Sequence, residues 1–275
     1  MFSIDDALLD AARTLSRAVA RLRFPAPVAY VYNPLDYAFA SYAQYVHRFG
    51  ATRKQVVLVG MNPGPFGMVQ TGVPFGEVAA VRDWMGIHAE IGSPASVHPK
   101  RPVEGFACTR SEVSGKRLWG WAAERFGNAN TFFADWFVVN YCPLAFVEPS
   151  GRNFTPDHLP APLQREVYTL CDRHLAVVLD ALAPTWAIGI GAFAEKRISA
   201  VLENTPGKSG KAAAVKAVHR RSSHARRVAT RAIRVGRILH PSPASPIANR
   251  GWAGAVEREL AALGVPAQSS ARQCP

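Results

Sequence analysis

The chain has 275 residues, 48% hydrophobic and 19% charged, an ordinary globular composition with enough apolar material for a sizeable core. Lys and Arg number 32 against 20 Asp and Glu, so the net charge is +12 and a polyanionic partner is in range. No run approaches the roughly 20 apolar residues that cross a bilayer, and the first residues carry Asp5 and Asp6 where a signal peptide would carry cations. A soluble, cytoplasmic protein with no membrane partner is expected.

Leu8, Leu15, Val19 and Leu22 recur at helical spacing and predict a surface helix packed on the core. The run 56-VVLVG-60 is continuous, β-branched and stopped by glycine, the pattern of a buried parallel strand. Residues 76–87 have helical spacing, whereas Pro94, Pro99 and Pro102 make 92–106 a loop. A helix over 111–126 opens with Ser111 as its cap. The segment 132-FFADWFVVNYCPL-144 holds a second strand that ends at Asn140. A polar loop, 149-PSGRNFTPDHLP-160, precedes a helix over 161–182. A third strand within 185–191, a helix over 192–203, a fourth strand within 232–243 and a last helix over 251–264 complete the pattern. Residues 204–230 read as a basic insertion and 265–275 as a disordered tail. Strands alternating with helices predict one α/β domain, 1–264, whose parallel sheet is covered on both faces.

Cys108, Cys142, Cys171 and Cys274 form no C-x-x-C pair, and no histidine clusters with them, so neither a metal nor another cofactor is expected. The chemistry is expected at the carboxyl ends of the strands, where open α/β sheets bind ligands. Asn62, Asn140 and His240 all follow or end a strand. In 60-GMNPG-64 the glycines permit close backbone approach and Pro63 stiffens the turn. In 240-HPSPASPIANRGW-252 three prolines pre-order a loop whose first residue can donate a hydrogen bond to a developing anion.

Taken together, G-M-N-P-G-P-F-G-M, T-G-V-P-F-G-E, N-Y-C-P-L and H-P-S-P resemble the uracil-DNA glycosylase superfamily, and within it the single-strand-selective monofunctional enzymes. The likeness extends over 30-YVYNPLDYA-38, 98-HPKRP-102 and 110-RSEVSGKRLW-119. The resemblance implies a three-layer α/β/α fold around a mostly parallel four-stranded sheet and hydrolysis of the bond between a flipped pyrimidine and deoxyribose; separately, no heptad or long exposed apolar edge in the sequence suggests more than a monomer. It implies that Asn62 positions the attacking water and that His240 stabilises the departing uracil. It further implies that Asn140 reads the base edge, that Phe75 stacks on the base, and that Met61 offers it a backbone group. Gly64 and Met68 would form a wall roomy enough for oxidised C5 substituents.

The same resemblance makes 242–250 a loop that wedges into duplex DNA, with Ser242, Pro243, Ser245, Asn249 and Arg250 as contacts. Ala244 stands where the family usually has Arg, which removes a cation from the wedge; Arg250 is its candidate substitute. Arg152 and Asn153 belong to a second DNA-contacting segment. Lys100, Arg101, Arg110 and Lys116 are further candidates for phosphate contact. Between Asn204 and Val256 there is no acidic residue, and 208–234 is rich in Lys and Arg. It reads either as a sequence-blind tether for single- or double-stranded DNA or as a solvated loop. A tether predicts a salt dependence that deletion of 208–228 flattens. Two rivals remain in view: a same-fold enzyme for deaminated purines, and a silent binder of damaged or single-stranded DNA. Asn140 favours a pyrimidine edge over the first. Asn62 with His240 opposes the second, because a silent binder would be carrying idle catalytic groups.

Overall fold

A computed structural model describes residues 3–204 and 232–266. Helix α1 (Ile4–Val19) starts at Ser3, whose hydroxyl accepts from the Asp6 N–H. It buries Leu8, Leu15 and Val19, whereas Leu22 lies beyond its end. Strand β1 (Tyr30–Tyr32), the single turn α2 (Pro34–Tyr37) and α3 (Phe39–Phe49) lead to β2 (Val56–Gly60) and the short α4 (Met68–Thr71). Next come α5 (Val113–Phe126), α6 (Ala129–Asp135), β3 (Trp136–Asn140), β4 (Ala145–Val147) and β5 (Asn153–Phe154). Then follow α7 (Ala161–Leu182), β6 (Trp186–Ile190), α8 (Ala192–Glu203), β7 (Arg234–Ile238), the single turn α9 (Pro246–Asn249) and α10 (Trp252–Leu263).

The main sheet has the order β3-β2-β6-β7, and every pairing is parallel. Strands β2, β3 and β6 are buried at every position, which is why their sequences are unbroken apolar runs. Edge strand β7 instead exposes Arg234 and Arg237, charges that discourage edge pairing with another chain. Helix α8 packs on β2, β6 and β7, α10 packs on β7, and α5 lies against α6 and α10. The architecture is the three-layer α/β/α one. Its register decides where chemistry can happen. Gly60 pairs with Asn140, and Ile190 with Ile238, so the carboxyl ends of the strands finish along one edge.

Four sequence expectations change. Residues 76–87 form not a regular helix but a π turn, Ala80–Trp84, after a brief helical start at Val78. Helix α5 begins at Val113, and the residue in its cap position is Glu112 rather than Ser111, with no side-chain cap bond. The polar loop 149–160 contains β5 and a 3-10 turn, Pro156–His158. Finally, β1, β4 and β5 form a second, antiparallel sheet in the order β1-β4-β5. The basic segment expected over 204–230 falls almost wholly outside the described residues, as does most of the tail.

Candidate active site

A cleft of about 620 Å³ opens at the carboxyl edge of the sheet. Its lining includes Met61, Asn62, Gly64, Phe75, Asn140 and His240, contributed by three strand ends and the turn after α4. Asn62 lies two residues past β2, and its Nδ2 donates to the Leu144 carbonyl at 3.2 Å. That bond spends the amide's donor end on the protein and leaves Oδ1 as the acceptor for a water proton.

Asn140 is 8% exposed. Its Nδ2 reaches Met68 Sδ at 3.3 Å, while Oδ1 is sealed from solvent without a partner. An unsatisfied buried carbonyl oxygen is costly, and a base edge with an N–H donor would relieve it. Met68 is not among the residues that line the cleft and meets it through this contact with Asn140. The Met61 carbonyl accepts from Cys142 N–H at 2.9 Å, so its N–H is what remains for a base.

Phe75 is held in an unusual conformation. Its φ is +54°, in the left-handed region that a bulky residue avoids. The neighbours that impose it are visible: Trp119 Nε1 donates to the Phe75 carbonyl at 2.8 Å, and a Cβ on Gly115 would come within 2.2 Å of that oxygen. Gly60 matters for the same reason, since a Cβ there would meet Asn140 Oδ1 and the Phe75 ring, both at 2.5 Å. A glycine ends β2 because the Asn140 amide and the Phe75 ring both press against it.

His240 lies two residues past β7. Its Nδ1 accepts from the Ser242 N–H at 3.1 Å, which places the ring hydrogen on Nε2. Burial lowers its pKa below the ordinary histidine value, so at neutral pH it is an uncharged donor. Its ring centroid is 6.5 Å from that of Phe75.

The loop after His240 is tied down by a residue that the sequence did not mark. Arg117 on α5 donates to the carbonyls of Pro241 (3.0 Å) and Ser242 (3.3 Å) and to Asn249 Oδ1 (2.8 Å). Asn249 in turn donates to the Pro243 carbonyl, and the Ser245 hydroxyl accepts from Ala248 N–H, capping α9. Ser242 and Pro243 line the cleft, whereas Ala244, Asn249 and Arg250 are exposed beside it. Ile247, also unmarked in the sequence, is 54% exposed in this loop.

Asn153 and Thr155 reach the cleft because the second sheet carries their segment there. Arg152 does not line it; its guanidinium pairs with Glu148 at 2.9 Å on the surface. The 98-HPKRP-102 segment braces this region: His98 Nε2 bonds the Pro149 carbonyl at 3.0 Å, and Arg101 Nε the Gly151 carbonyl at 2.8 Å. Arg101 and Arg110 both stand over the Phe66 ring, at 5.3 and 5.1 Å, and Phe66 is part of the cleft lining. Lys100 and Lys116 are exposed. Gly64 is in the lining, but the space above its Cα is already occupied: a Cβ would lie 2.1 Å from Glu112 Oε1.

A parallel sheet that brings two side-chain amides and an uncharged histidine donor to one edge has the groups to orient a water, meet a base edge and stabilise a leaving anion, which are the needs of an N-glycosyl hydrolase. The model of the uracil DNA glycosylase superfamily matches residues 47–254, which include all four strands of the main sheet, and the chain belongs to that superfamily. It is similar to the single-strand selective monofunctional uracil-DNA glycosylase of Rattus norvegicus, 41% identical over 263 residues, 96% of this chain and 86% of the relative. The Mus musculus protein of that name is 40% identical with the same coverage. The solved structure of SMUG2 from Pedobacter heparinus superposes with a TM-score of 0.63, covering 96% of this chain and 98% of its own at 16% identity, a likeness of fold alone.

Proposed function

We propose that the chain removes uracil from DNA by hydrolysing the bond between the base and deoxyribose, leaving an abasic site. The observation that supports this best is the convergence of Asn62, Asn140 and His240 on one cleft, with Asn140 Oδ1 lacking any protein partner. In this reading uracil leaves the DNA stack and lies on Phe75. Asn140 accepts from N3–H and donates to O4, a pairing that cytosine cannot offer. As the glycosidic bond lengthens, the electron pair passes to the base, and His240 Nε2–H holds the developing charge on O2. Asn62 Oδ1 orients the water that attacks C1′ of the cationic sugar. The nucleophile in this reading is water, and no lysine that could form a Schiff base lies among the described residues of the cleft lining. Phosphates meet the exposed 242–250 loop and the guanidiniums beside Phe66.

The test incubates the protein with labelled single-stranded and G·U duplex oligonucleotides in the presence of chelator. Abasic sites appear with the wild type and fall by about 10²–10³ in His240→Ala, the usual cost of one lost anion donor; Asn62→Ala is strongly impaired too. Binding without cleavage would overturn the assignment in favour of a DNA-binding module. Cleavage confined to hypoxanthine or xanthine would move it to purine lesions.

A further inference from the structure

Glu112 is the unexplained group of the cleft. Its carboxyl is packed into the turn that holds Asn62, with Oε1 against Gly64 and Oε2 against Gly67; a Cβ on either glycine would overlap it, at 2.1 and 1.6 Å. Oε2 is sealed from solvent with no hydrogen-bond partner, and the side chain does not cap the helix it precedes. Two glycines thus leave room for a carboxyl that makes no structural bond. A carboxylate in such a place is a cost unless something else uses it.

Among the described residues that line the cleft, only Glu112 and His240 titrate near neutral pH. His240 faces the leaving group in the proposed reaction. The attacking water must nevertheless lose a proton, and the Asn62 amide cannot take it. We propose that Glu112 is the proton acceptor of this hydrolysis, its Oε1 standing at the Gly64 end of the turn, two residues from Asn62. This rests on the glycosylase reading above. The bond from C1′ to the base breaks with its electron pair on the base, the water oxygen bonds to C1′, and the water proton passes to the Glu112 carboxylate. The base anion takes up a proton as it leaves, and Glu112 returns its own to solvent.

The protonation of Glu112 fits the role. Burial, with a smaller contribution from the nearby Glu77 carboxylate, raises its pKa to about 7. Arg101 and Arg110 stand over Phe66, another residue of the cleft lining, and Lys116 and Arg117 follow along α5. A carboxyl that titrates near neutrality is matched to receiving and releasing a proton there. Because its folded pKa lies above the usual carboxylate value, ionisation costs stability as pH rises towards 7, so Glu112→Gln should fold at least as well as wild type at pH 8.

The experiment measures single-turnover uracil excision from pH 5.5 to 8.5 for the wild type and Glu112→Gln, with melting temperatures alongside. The wild-type rate should climb through pH 7 and level off. Glu112→Gln should be about 10²-fold slower at pH 8 and lose that climb. A folded variant with the wild-type rate, or a slower one with an unchanged pH profile, overturns the proposal; the latter would mean a packing role. Carbon-13 detection of the Glu112 carboxyl provides a readout independent of turnover, and titration below pH 5 also overturns it. An inactive wild type with a carboxyl titrating near pH 7 would defeat the uracil reading, and with it this step, while leaving the perturbed group established.

Discussion

Replacing Gly60 by alanine tests the base seat at its tightest point. The added methyl would stand 2.5 Å from Asn140 Oδ1 and 2.5 and 2.7 Å from two carbons of the Phe75 ring. Non-bonded carbon atoms settle at roughly 3.5–4.0 Å, so about 1 Å of movement is required. Neither neighbour has slack. Asn140 ends a fully buried strand in register with Gly60, and Phe75 is pinned at φ +54° by Trp119. Overpacking of this kind costs ~1–3 kcal/mol of stability. Displacing a reacting group by ~1 Å costs ~10² in rate. Gly60→Ala should therefore remain folded and lose about two orders of magnitude in single-turnover excision, read by gel from a uracil-containing single strand. Gly120→Ala is the control: a Cβ there meets nothing within 4 Å, so activity should hold while helix propensity adds about 0.5–1 kcal/mol. A Gly60→Ala enzyme with wild-type turnover would refute the claim that Phe75 and Asn140 together form the base seat.

Arg117→Ala removes three hydrogen bonds from the loop that follows His240, and excision should fall about tenfold or more, towards the ~10² of a ~1 Å misplacement, while DNA affinity changes little; an unchanged rate would show that the loop holds itself. Ile247→Ala should slow excision from duplex DNA several-fold and leave single strands alone, because apolar wedges act by separating stacked bases; equal losses on both substrates would exclude a wedge. His174 is buried without hydrogen bonds, and burial lowers its pKa to about 4. The unfolded chain therefore binds a proton that the folded chain refuses, and stability falls as pH drops from about 6.5 towards 4, by about 3 kcal/mol in full. His174→Leu should flatten that part of the melting-temperature profile, and an unaltered slope would point to other groups.

The main sheet was legible because buried parallel strands are short apolar runs with hard stops, as at Gly60 and before Pro143. The long helix α7 was legible for a related reason: 22 residues give several turns of repeating pattern. The second sheet was not, since strands of two or three residues have no period to detect. The positions of Asn62, Asn140 and His240 followed from strand ends, which sequence marks well. What escaped were contacts between distant segments. Nothing near Arg117 points to a loop 124 residues away, and nothing in 110-RSEVSGKRLW-119 shows that its glutamate fills the space over Gly64 and Gly67.

Helix α5 lines the cleft only in its first turn, at Val113 and Ser114, yet Glu112 just before it, Arg117 and Trp119 reach the turn at Gly64, the loop after His240 and the Phe75 carbonyl. The cleft is thus mounted on a common frame, with no separately adjustable walls. A shift of that frame should depress every substrate by a similar factor and leave the ratios between lesions alone. Selectivity can drift cheaply only in side chains that the frame does not hold, which makes the exposed Ala244, Ile247 and Arg250 the natural places for relatives to diverge in the DNA they prefer.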